Sequence, residues 1–145
     1  MDGEKCSCGR KGCWEAYTSA TALINQTKTA AEKNPDSILA KLAADGVNGK
    51  TAFDAMREGC PVGKAVVDTY IKYLGAGITD MINIFRPQIL VIGGGVSKEG
   101  DNLIIPLTKY VAENVYGGKI DTEIKIAQLG NDAGIVGAAA LGVAK

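Results

Sequence analysis

The run at residues 87–96, Pro-Gln-Ile-Leu-Val-Ile-Gly-Gly-Gly-Val, constrains the fold more than any other stretch. Ile89, Leu90, Val91 and Ile92 are consecutive and apolar, the pattern of a strand buried on both faces. Pro87 closes whatever helix precedes it, because its ring blocks helical continuation. Gly93, Gly94 and Gly95 follow at once and, lacking Cβ atoms, let the backbone take unusual dihedrals and another molecule approach closely. The chain then turns through residues 97–101 into a helical apolar period at 103–115, where Pro106 is tolerable only within the first turn. A buried strand, a glycine turn and a helix start present backbone N–H groups to an anion. The same arrangement also serves as a tight strand-to-helix turn with no ligand.

Residues 123–129 alternate, with Ile124 and Ile126 on one face, and predict a second strand with a wetter side. Two strands joined by a helix make a βαβ unit, parallel and right-handed. Elsewhere the periodicity is helical. Segments are predicted at 14–33, from the break at Asn34, Pro35 and Asp36 to Ala43, at 51–57, and over a long span from Pro61 to Phe85. The long helix carries an apolar stripe through Val66, Tyr70, Tyr73, Ile78 and Met81 that suits a core or a subunit contact. Its Gly75 and Gly77 are expected to admit another backbone closely. The fold class is therefore α/β, rich in helices, in a chain whose 145 residues suffice for one domain with a real core. The 16 basic and 16 acidic residues cancel, which leaves no electrostatic footprint for nucleic acid or an anionic membrane. No apolar run approaches a membrane span and no signal peptide is visible, so a cytoplasmic protein is expected. There is no histidine, which excludes histidine-based catalysis within the chain.

Three cysteines fall within eight residues in Cys6-Ser7-Cys8-Gly9-Arg10-Lys11-Gly12-Cys13. In a cytosolic chain this spacing favours a metal over disulfides, and thiolates suit zinc. A structural zinc site wants four ligands, and only three are local. Cys60 is either a distant fourth ligand or a small buried hydrophobe.

The string CSCGRKGCWE matches C-x-C-G-x-x-G-C-x-E, a pattern of the ROK family (repressors, open reading frames and sugar kinases). The following EAYTSATAL is similar to the continuation in the family's bacterial glucokinases. PQILVIGGGVS resembles its second nucleotide-contacting segment, and NDAGIVGAAALG its C-terminal helix.

The resemblance implies the helix-rich C-terminal part of an actin-like, ribonuclease-H-like ATPase domain with a short parallel sheet. Residues 1–145 form one domain in this reading, with a zinc-loop cluster at 1–15 and a nucleotide-side unit at 87–145. It further implies that Cys6, Cys8 and Cys13 ligate zinc, that Glu15 binds sugar hydroxyls, and that Gly93, Gly94, Gly95 and Val96 line the nucleotide. Relatives carry a phosphate-binding Asp-x-Gly-x-Thr turn, a catalytic aspartate in an Asn-Asp pair and a zinc-binding histidine upstream of the cysteines. No such turn, aspartate or histidine precedes the cysteines in the chain, so it is expected to lack a catalytic centre and the fourth zinc ligand, and to be inactive alone. The parent reaction would move the γ-phosphoryl group of ATP, with Mg²⁺, to the 6-hydroxyl of a hexose, glucose being the leading candidate. A second copy of the chain is the expected macromolecular partner. Two rival readings are the sugar-sensing domain of a ROK repressor and a zinc-stapled interaction module. Against the functional reading of Glu15 stands its simple value as an acid in a first helical turn.

Overall fold

The computed structural model describes residues 3–143. The long helix, Pro61–Phe85, is the beam against which most of the other helices pack. We label it α5, after α1 (Glu15–Thr18), α2 (Ala20–Lys33), α3 (Ile38–Ala43) and α4 (Thr51–Arg57). Its 25 residues span about 37 Å at the usual helical rise. Pro61 sits in its first turn, where the missing N–H costs nothing, and it ends at Arg86 in the left-handed conformation just ahead of Pro87. The core forms where α5 meets its neighbours. Leu23 of α2, Leu39 of α3 and Phe53 of α4 are fully buried with Val67 and Tyr70 of α5. On another side of the same helix lie Leu103, Leu107 and Val111 of α6 (Asp101–Asn114).

Two strands, β1 (Ile89–Ile92) and β2 (Glu123–Ile126), pair in parallel with Ile89 opposite Glu123 and Ile92 opposite Ile126. The βαβ unit is thus as the alternation predicts. The expectation that β1 is buried on both faces is not met. Leu90 and Ile92 pack on the core, whereas Ile89 and Val91 are 51% and 57% exposed. A run of apolar residues states that both faces want cover; it does not say that helices of the same chain supply it.

Three further differences have local causes. The helix predicted over 14–33 is two helices, because Ser19 is extended and its hydroxyl accepts the N–H of Ala22 as the cap of α2. After the glycines comes a 3₁₀ turn, Gly95–Glu99, and α6 begins at Asp101, so Pro106 lies beyond the first turn. The carbonyl that Pro106 deprives of a donor belongs to Asn102, which is exposed and open to water. Finally, Gly75 and Gly77 approach aromatic rings rather than backbone: a Cβ on Gly75 would lie 2.4 Å from Tyr110 of α6, and one on Gly77 would strike Trp14. The chain closes with α7 (Ala133–Val143), reached through a 3₁₀ turn at Gly130–Asp132. No helix among the described residues is long and apolar enough to cross a membrane.

Candidate functional site

The cysteine loop folds back on itself as a small hairpin. Lys5 and Lys11 form an antiparallel bridge, and the Gly12 N–H donates to the Glu4 carbonyl at 2.9 Å. Inside it, the Cys6 N–H reaches the Arg10 carbonyl at 2.9 Å and the Gly9 N–H reaches the Cys6 carbonyl at 3.0 Å. This folding brings the sulfurs of Cys6, Cys8 and Cys13 within 4.8 Å of one another, with Cys8 and Cys13 3.6 Å apart. Zinc–thiolate bonds of about 2.3 Å in a tetrahedron place sulfurs about 3.8 Å apart, so the three thiols fit three corners of such a site. Cys60 takes no part. It is buried at the start of α5 among core residues, as the small hydrophobe.

The loop also holds one sulfur ready for a cation. The Cys8 thiol is brought down from 9.0 to about 7, first by the Arg10 backbone N–H, then by the Arg10 guanidinium and the Cys6 and Cys13 thiols. Hydrogen bonding with Cys8, and then with Cys6, pushes the Cys13 thiol upward.

Glu15 opens α1 immediately after the loop, exposed to solvent, and its Oε2 accepts the Cys6 thiol at 3.3 Å. What holds it is a set of tethers to α5. The Trp14 indole N–H donates to the Tyr73 carbonyl at 2.9 Å, and the Tyr70 hydroxyl donates to the Thr18 carbonyl at 2.8 Å. The rings of Tyr17 and Tyr73 meet at 4.9 Å, and Gln26 of α2 donates to the Tyr17 carbonyl. Burial pushes the Tyr70 phenol up to about 12, so it remains a donor at any physiological pH.

The glycine turn follows β1 at the carboxyl end of the sheet, where ligands of open α/β sheets bind. Gly94, at φ 90° and ψ −178°, occupies a conformation that L side chains rarely adopt. Gly93, Gly94 and Gly95 are exposed, and nothing lies within 4 Å of where a Cβ on Gly95 would stand. The Val96 side chain is buried, so contact with a ligand there falls to its backbone. The first N–H groups of the 3₁₀ turn have no partner within it.

Two clamps set this turn from beneath. The buried Ser97 hydroxyl donates to the Gly94 carbonyl at 2.7 Å. The Glu99 carboxylate, buried, accepts from Arg57 of α4 at 2.7 Å, and Arg57 also binds Asp54. The sequence reading missed the Arg57–Glu99 pair: its members are 42 residues apart and neither belongs to a motif. A small cavity of about 140 Å³, lined by Arg86, Gln88, Tyr116 and Thr122, opens at the opposite end of the strands.

Both regions therefore seat on the same turns of α5: Trp14 at Tyr73 and Gly77, and Tyr110 of α6 at Gly75. The chain is 40% identical over 150 residues to a glucokinase of Streptomyces coelicolor, covering 97% of the chain and 46% of that protein. It is 27% identical over 138 residues to the xylose repressor of Bacillus subtilis, covering 94% and 33%. Among solved structures it superimposes on a ROK family glucokinase from Streptomyces griseus, determined with glucose and AMPPNP, at a TM-score of 0.84 and 36% identity. That match covers 97% of this chain and 47% of the other. The chain thus spans about half the length of the relatives it matches. It shares the helix-rich α/β fold of the Streptomyces griseus enzyme. The ROK family model matches residues 1–145, and the chain belongs to the ROK family.

Proposed function

We propose that the chain is the C-terminal portion of a cytoplasmic, ATP-dependent hexose kinase of the glucokinase type, with glucose as its sugar. The observation that carries this reading is the seating of a rigidly held carboxylate and an open glycine turn on one helix, α5. Glu15, exposed beside the loop, accepts hydrogen bonds from sugar hydroxyls, a contact that fixes the sugar's orientation. Gly93, Gly94, Gly95 and the backbone of Val96 cradle the nucleotide, whose phosphates carry Mg²⁺. In the reaction the sugar 6-hydroxyl oxygen attacks the γ-phosphorus, the bond to ADP breaks, and the hydroxyl proton passes to a base outside this chain. Zinc, when bound, supplies a cross-link that stiffens the loop. Cys6, Cys8 and Cys13 hold it, and the fourth corner falls to water or to a group outside the chain. The higher identity to a glucokinase than to a repressor, 40% against 27%, supports the kinase reading over the sugar-sensing one.

The test is a chimera in which this chain replaces the matching segment of the Streptomyces coelicolor glucokinase. ATP-dependent glucose phosphorylation by the chimera is expected, with a loss of about a hundredfold in kcat/KM for Glu15→Gln, as one charge-assisted bond is removed. The chain alone is expected to show no turnover. A folded chimera without activity, or full activity in Glu15→Gln, contradicts the reading. A second copy of the chain is proposed as the partner of its open apolar surface.

A further inference from the structure

Trp14 stands between Cys13, the last cysteine of the loop, and Glu15, and it is the chain's single tryptophan. Its indole lies across α5 where Gly77 offers no side chain. A Cβ on Gly77 would come within 2.2 Å of the indole Cε2 and 2.5 Å of Nε1. The indole N–H donates to the Tyr73 carbonyl at 2.9 Å. That carbonyl lies four residues before Gly77 and is the one its own N–H meets in helical geometry. The missing Cβ therefore opens the helix backbone to a donor from another segment. Glycine is unfavourable inside a helix relative to alanine, so one kept within α5 at the point of contact has a packing reason.

We infer that Gly77 is a positioning residue for the cysteine loop: by seating Trp14 against α5, it fixes the direction in which Cys13 and Glu15 project. The inference rests on the reading of Cys6, Cys8 and Cys13 as a metal loop. The bonds inside the hairpin are local and hold the loop to itself, whereas the tie at Trp14 holds it to the body of the fold. A metal needs three sulfurs at once, and a support that orients one of them governs affinity without touching the ion. A methyl group on Gly77 meets the rigid edge of the ring rather than a flexible tip. The indole must then move, and the adjacent Cys13 moves with it.

The experiment is a Co²⁺ titration of the reduced chain, read by thiolate-to-cobalt absorption, with Zn²⁺ in competition and with Trp14 fluorescence as a reporter. Gly77→Ala is expected to bind about tenfold more weakly, the scale seen when outer supports of metal ligands are lost. Its Trp14 emission should shift to the red while the far-ultraviolet circular dichroism is unchanged. Trp14→Phe leaves α5 intact, loses the N–H hook and should also weaken binding. The double variant should be no weaker than Trp14→Phe alone, a non-additivity that a purely structural role of Gly77 in α5 does not produce. Gly77→Ala binding within about twofold of wild type overturns the inference. If Gly77→Ala does not fold, Trp14→Phe with wild-type affinity overturns it, as do additive losses in the double variant. A wild-type chain that takes up no Co²⁺ overturns the metal reading and the inference together.

Discussion

The two ends of the chain meet the helical body in opposite ways. Near the N-terminus, the cysteine loop and α1 are largely exposed, yet directional contacts fix them: Trp14 to Tyr73, Tyr70 to Thr18, and the paired rings of Tyr17 and Tyr73. Near the C-terminus, α7 is apolar along most of its length, and Ile135, Val136 and Leu141 are exposed. A helix that is apolar all round is ordinarily a buried one. The difference is one of principle. A hydrogen bond can order a segment while leaving its other groups open to a ligand, whereas an apolar surface gains stability only through burial. The N-terminal region is thus built to present groups, and α7 is built for a surface it does not meet among the described residues.

The sharpest way to break this contrast is a pair of leucines. Leu23 of α2 is fully buried and Leu141 of α7 is 81% exposed. Leu23→Ala should cost roughly 2–5 kcal/mol in denaturant unfolding, through lost transfer energy and a cavity. Leu141→Ala should change stability by less than about 0.5 kcal/mol. A cost above about 1 kcal/mol at Leu141 would mean that α7 is covered in solution.

Self-association asks what does the covering. Ile89 and Val91 on the open face of β1 add to the apolar exposure of α7 and of Ile84 and Phe85 at the end of α5. Exposed apolar residues on this scale gain stability when a partner buries them. Sedimentation equilibrium over a wide concentration range should show dimers, and Val91→Lys should weaken them by about tenfold, or about 1.4 kcal/mol. A single monomeric species at the highest concentration would leave the face to a different partner.

A smaller effect belongs to the tethers. Tyr70→Phe removes the hydroxyl that donates to the Thr18 carbonyl and keeps the ring in the core. The expected loss is about 1 kcal/mol. Hydrogen exchange should localise it to α1 and leave α6 unchanged. A uniform loss of protection would show that the tether supports the core as a whole and not only the site.

What the sequence made legible follows the range of the interaction. The bounds of α5 were readable because Pro61 and Pro87 punctuate them within one or two residues. The cysteine cluster was readable because its three thiols sit within a single hairpin. Ser19 was not, since a capping hydroxyl inside a continuous apolar period looks like one more helical residue. The tie of Trp14 to Tyr73 crosses 59 residues and that of Arg57 to Glu99 crosses 42, and no local pattern encodes either. Gly75 and Gly77 announced close approach, but whether backbone or a ring arrives depends on a partner far along the chain.

The smallest expected effect sits at the tip of the loop and tests whether electrostatic order persists there. Cys8 is exposed, and its thiol lies at about 7, with the Arg10 backbone N–H as the leading cause and the Arg10 guanidinium next. Alkylation requires the thiolate, so its rate at Cys8 rises with pH and reaches half its maximum near pH 7. Cys13, shifted upward, and the buried Cys60 should react later, which peptide mapping after brief iodoacetamide treatment resolves. Arg10→Ala removes the guanidinium but leaves the backbone donor, so the Cys8 midpoint should move upward and stop short of the ordinary 9.0. Salt should reproduce part of the shift, because an exposed charge pair is screened over about 10 Å at 0.1 M. A midpoint that stays near pH 7 in Arg10→Ala would assign the effect to the Arg10 backbone donor and the neighbouring Cys6 and Cys13 thiols. The loop would then owe its reactivity to the hairpin that also gathers the three sulfurs, and not to a neighbouring charge.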